Sequence, residues 1–100
     1  MGIDRRLADL GALIDNYLGG HITGAAAARI AKEEHWDFQD DLSRGGSREE
    51  RLFLRAFWAV VLLDEPPEYK TKDPELRYLR RCIEDPSAFS EEGADRPYHD

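Results

Sequence analysis

The chain has 100 residues, room for one domain, and at that size folding hides roughly two-thirds of the surface the unfolded chain would expose. Its 41% apolar content suffices for one modest core, while 35% charged residues and a net charge of −7 disfavour a nucleic-acid ligand, since phosphates are bound by an excess of Lys and Arg. The lone Cys82 excludes an intramolecular disulfide and a multi-Cys zinc site, and no apolar run approaches the roughly 18 residues of a membrane span. A reducing compartment fits the cysteine usage, and Asp4 and Asp9 give the N-terminus no signal-peptide shape, so a cytoplasmic location is the expectation.

Ile3, Leu7, Leu10, Ile14, Tyr17 and Leu18 recur at three- and four-residue steps and predict a first helix from about Asp4 to Leu18 with one apolar face. Gly19-Gly20 should stop it, because glycine tolerates the left-handed backbone of a helix C-cap. Thr23 is placed to cap a second helix, its hydroxyl accepting from an amide near Ala25 or Ala26. Ala25 to Ala28 favour that helix and let it lie close to a neighbour, with Ile30 and Trp36 as its larger anchors. Ser43-Arg44-Gly45-Gly46 reads as a flexible connection, and Ser47-Arg48-Glu49-Glu50 as a capping box opening a third helix to about Leu63. Apolar residues from Leu52 to Leu63 lie almost all round its axis, which marks it as the central, most buried helix, although Trp58 or Leu62 could still be exposed.

Pro66-Pro67 stops the third helix, and Asp73-Pro74-Glu75 starts a fourth with Asp73 as the capping carboxylate and proline at the first helical position. Leu76, Leu79, Cys82 and Ile83 form its apolar face. After Pro86 there is no apolar period, so residues 87–100 read as a mobile acidic C-terminal tail whose deletion should leave stability nearly unchanged. The expected architecture is all-α: an antiparallel four-helix bundle over residues 1–86, followed by that tail.

The run Glu33-Glu34-His35-Trp36-Asp37-Phe38-Gln39-Asp40-Asp41 holds five carboxylates and two large aromatics without a Lys or Arg. It is either a solvated helix end with Trp36 and Phe38 turned into the core, or a docking face. In the second case Glu33, Glu34, Asp37, Asp40 and Asp41 meet bases of a partner around Trp36 as anchor. The placement of the two aromatics decides between them. His21, His35 and His99 are scattered, and none stands at zinc-ligand spacing from a suitable carboxylate or Cys, so neither metal nor cofactor is expected. Cys82 reads as a small core residue, neighbouring acids such as Asp40-Asp41 point in different directions, and the glycine pairs are turns rather than phosphate cradles. The chain is therefore not expected to be an enzyme. Arg48, Arg51 and Arg55 on the third helix and Arg77, Arg80 and Arg81 on the fourth read as solvated surface, with Arg80 pairing with Glu84 and Arg77 with Asp73.

Leu13-Ile14-Asp15-Asn16-Tyr17-Leu18-Gly19-Gly20-His21-Ile22-Thr23, the aromatic Trp36, the apolar helix Leu52 to Leu63 and the helix start Asp73-Pro74-Glu75-Leu76-Arg77 together resemble colicin-D-type bacterial immunity proteins. Ala25 to Ala28 depart from that pattern, which has an acidic residue and a Phe there. The resemblance implies an acidic helical inhibitor of a tRNA-cleaving toxin, its carboxylates standing in for phosphates in the toxin's basic cleft. Two other readings use the same residues. One is a phage or mobile-element inhibitor that mimics nucleic acid, such as an anti-CRISPR protein; the other is a structural adaptor whose exposed apolar face is completed by oligomerisation. In each case the expected partner is a protein, with no direct nucleic-acid or membrane contact, and the chain is a monomer or a weak homodimer.

Overall fold

The computed structural model describes residues 2–42 and 46–94, so most of the expected connection at Ser43-Arg44-Gly45 and the end of the expected tail lie outside the described residues. Helix α1 runs Ile3–Leu18, α2 Gly24–Asp41, α3 Arg48–Val61 and α4 Asp73–Glu84, with a 3₁₀ turn at Leu62–Asp64 continuing α3. A second 3₁₀ turn at Pro86–Ala88 leads to a short α5, Glu91–Ala94. The class is all-α, with no strand among the described residues. No helix among them is long and apolar enough to cross a membrane.

The local signals act as their chemistry requires. Beyond α1, Gly20 adopts φ +79°, which lets the His21 amide donate to Asn16 O at 2.8 Å and the Gly20 amide to Tyr17 O at 3.1 Å. Two carbonyls that the helix would leave bare are thereby satisfied. Thr23 Oγ1 accepts from the Ala26 amide at 3.0 Å. The capping box opening α3 is complete: Glu50 N donates to Ser47 Oγ at 3.1 Å and Ser47 N to Glu50 Oε1 at 2.8 Å. Gly24 has a tertiary reason. A Cβ there would stand 2.5 Å from Leu63 O, so the absent side chain lets the start of α2 rest on the turn after α3.

Helix α3 packs against α1, α2 and α4 and supplies the centre of the core. Leu52, Phe53, Ala56, Phe57 and Val60 have no exposed surface, and they meet Leu10 and Ile14 of α1, Ala27 and Ala31 of α2, and Leu76 and Leu79 of α4. The third helix is nevertheless not buried all round. Trp58 and Leu62 are exposed and Val61 only half-buried. Thr71 is buried and donates through Oγ1 to Ala59 O at 2.7 Å, tying the loop after Pro66-Pro67 back to α3.

Three expectations are corrected. Asp73 is not the cap of α4: Lys72 holds that position without a side-chain hydrogen bond, and Asp73 and Pro74 lie inside the first turn, where the carboxylate still faces the positive helix end. The segment from residue 87 does not hang free as far as Ala94. Phe89 and Ala94 are buried, Tyr78 Oη both accepts from Ser90 N (3.1 Å) and donates to Ser90 O (3.2 Å), and Arg55 Nη2 donates to Ala94 O at 2.9 Å. The arginine faces are not simply solvated either. Arg51 and Arg55 are half-buried, Arg51 bridging to Glu91 at 3.5 Å and Arg55 to Glu75 at 3.7 Å. Arg80 meets Glu84 at 3.2 Å as expected and also Asp15 of α1 at 3.0 Å, whereas no Asp73–Arg77 pair occurs among the ion pairs of the described residues.

Candidate functional site

Helix α2 buries Ala27, Ala28, Ala31, His35 and Gln39, and that stripe fixes where every other side chain of the helix goes. At about 100° per residue, Glu33, Glu34, Asp37, Asp40 and Asp41 fall on the opposite, outward side within a sector of roughly 120°. All five are exposed. Glu33 is held by Arg29 one turn earlier, at 3.2 Å. Asp37, Asp40 and Asp41 have no ion-pair partner among the described residues, and the last turn of α2 contains no base. The exposed carbonyls there already carry the negative end of the helix dipole, so three aspartates beside them are unfavourable to the helix by a few tenths of a kcal/mol each.

Trp36 and Phe38 stand two residues apart, about 200° round the helix, and therefore occupy opposite edges of the acidic sector. Neither of the two simple expectations holds for both rings. Trp36 is 44% exposed on the edge facing α3, where it meets Phe57 (centroids 6.2 Å) and, edge to face, Trp58 (5.9 Å). Trp58 is itself 41% exposed, and Leu62 follows it one turn later at 38%. Trp36, Trp58 and Leu62 thus give an exposed apolar strip alongside the carboxylates. Phe38, on the α1 edge, packs on the buried Phe53 at 5.1 Å, and the Arg6 guanidinium lies 4.2 Å over its ring.

Beneath this edge lies a polar contact that the spacing of residues in the chain gives no hint of. Arg6 Nη1 donates to Glu34 O and to His35 Nδ1, each at 3.1 Å. An arginine can only donate, so Nδ1 accepts and the imidazole proton sits on Nε2. Among the described residues, neither that Nε2 nor Arg6 Nε finds a hydrogen-bond partner. Asp9 of α1 completes a group with Glu34 and His35 whose ligand-type atoms lie within 4.8 Å of one another. These are the residues that could hold a metal ion, but the Arg6 guanidinium already supplies the cation and occupies the histidine lone pair. Burial, reinforced by the charge of Arg6, pushes the His35 pKa below its ordinary 6.5, against smaller opposing effects of Glu34 and Asp9.

On acidification through about pH 6.5 the unfolded chain takes up the His35 proton before the folded one does, so stability is fully present above that pH and is lost as pH falls toward the lower folded value. Urea midpoints at pH 7.5 and 5.5 should therefore differ, and His35→Gln should reduce the difference. An unchanged slope in the variant would show that His35 does not titrate in this range.

Cys82 is buried, and its burial pushes the thiol pKa up, so it sits in the core as a small apolar residue. A shallow, open cleft of about 350 Å³ lies between Arg80, Arg81, Glu84 and Asp85, remote in sequence from the acidic helix. Comparison with protein-family models, with curated proteins and with solved structures finds no match to this chain.

Proposed function

We propose that this protein is a small acidic inhibitor that works by binding a basic protein, most simply as an immunity protein blocking the active-site cleft of a bacterial nuclease toxin. The observation that carries this reading is the outward face of α2: Asp37, Asp40 and Asp41 toward the negative end of a helix, with no ion-pair partner among the described residues, beside the exposed Trp36. A partner's Lys and Arg would relieve that charge, and Trp36 would anchor the centre of the contact. A nuclease cleft is basic because it binds phosphates, so the same carboxylates can occupy it. The mechanism asks no chemistry of this chain, and it places the protein in the cytoplasm with its target.

Affinity capture of the partner from the native host, followed by an RNA-cleavage assay with the captured protein, tests the proposal. The protein should suppress cleavage, with association that slows as salt rises, because exposed charges are screened beyond about 8 Å at physiological ionic strength. Replacing Asp37, Asp40 and Asp41 together by Asn should slow association roughly ten-fold while the helical circular-dichroism spectrum stays the same. A triple variant that binds and protects as well as the parent would reduce the acidic face to solvated surface.

The exposure of Trp58 and Leu62 favours one second reading, an adaptor completed by self-association through that strip. Light scattering at increasing concentration separates the two: a dimer lost on Trp58→Glu supports the adaptor, a concentration-independent monomer the inhibitor.

A further inference from the structure

The acidic sector of α2 has an aromatic on each edge, and one edge is already occupied. On the α1 side the Arg6 guanidinium lies 4.2 Å over Phe38 and donates to the α2 backbone at Glu34 O. On the α3 side stand Trp36 and Trp58, both about two-fifths exposed and 5.9 Å apart. Among the described residues, the cation-on-ring contacts fall on Phe38 and Tyr17, and neither tryptophan receives one. Asp40 lies one turn beyond Trp36 on the same side of the helix, the spacing at which two helical side chains are neighbours. It has no ion-pair partner among the described residues, while Glu33, one turn before, is matched by Arg29.

From this arrangement we infer that the partner's anchoring group is an arginine guanidinium, seated on the Trp36–Trp58 edge with Asp40 as its carboxylate. The inference rests on the basic-partner reading and sharpens it from charge to chemistry. A guanidinium is planar and weakly hydrated, stacks on an indole, and still offers two N–H groups to a carboxylate; the compact, strongly hydrated ammonium of lysine does neither as well. A second copy of this chain, the occupant of the adaptor reading, is disfavoured at this edge, because it would bring a net charge of −7 and its own carboxylates there. A wholly apolar partner is also wrong, since it would strip water from Asp40 without replacing it.

The two tryptophans of the chain are Trp36 and Trp58, so their intrinsic fluorescence reports on this edge alone. The probes are an oligoarginine and an oligolysine peptide of equal length, titrated into the intact protein at low salt. Oligoarginine should bind roughly three- to five-fold more tightly and alter the tryptophan emission. Trp36→Leu and Trp58→Leu should each bring the two affinities together while leaving that for oligolysine in place, and Asp40→Asn should weaken the arginine peptide more than the lysine one. Equal affinities in the parent, or a preference that survives both tryptophan variants, would overturn the arginine assignment and leave the basic-partner reading standing. If neither peptide binds, both fall together.

Discussion

Phe57→Ala is expected to cost about 3 to 5 kcal/mol, a large share of the roughly 5 to 15 kcal/mol that holds a small domain folded. The ring has no exposed surface. It is stacked on Phe53 at 6.1 Å, meets Trp58 edge to face at 5.2 Å and touches Trp36 at 6.2 Å. Removing it therefore takes out buried apolar area, leaves a cavity between α2 and α3, and withdraws the floor on which both exposed tryptophans rest. Urea denaturation followed by circular dichroism measures the first effect. A loss under about 1 kcal/mol would mean that the core collapses around the gap without penalty. The second effect makes Phe57→Ala a poor control for binding, since it disturbs the Trp36–Trp58 edge without touching a carboxylate.

Deleting residues 87–100 is expected to lower the melting temperature by roughly 12 °C or more, the scale of a loss of about 3 kcal/mol in a domain of this size. This reverses what the lack of an apolar period in that segment suggests. Phe89 is only 4% exposed, and with Ala94 it belongs to the core cluster. Deletion also strips Tyr78 of its two hydrogen bonds to Ser90 and Arg55 of its bond to Ala94 O. Phe89→Ala in the intact chain isolates the packing contribution and should account for most of the change. A melting temperature within a few degrees of the parent would show instead that the segment folds back without stabilising the rest.

The contrast between these two positions explains what the sequence discloses. Phe57 sits in a repeat of apolar residues whose period and caps are local: Ser47 reads Glu50 three residues on, and Gly20 turns the chain within the reach of Asn16. Such features are written in consecutive residues, so the four longer helices and their stops can be read directly. Phe89 is one aromatic in a polar stretch, and the residues that follow it are held by groups from other helices, Ser90 by Tyr78, Glu91 by Arg51 and Ala94 by Arg55. The same holds for Arg6, Asp9 and His35, brought together only when α1 packs on α2. Of the candidate face, the run of acids was plain from composition. The separation of Trp36 from Phe38 was implicit in helical phase, and the pairing of Trp36 with Trp58 needed the crossing of α2 and α3.

A helix shaped for durability alone would finish in Lys or Arg, and α2 finishes in Asp37, Asp40 and Asp41. Stability and the proposed duty therefore pull these three positions in opposite directions. A base at any one of them would firm the helix end while discharging the surface, so variants sorted for heat resistance should drift toward Lys and Arg there. Variants sorted for binding a basic partner should keep the aspartates and accept the weaker helix.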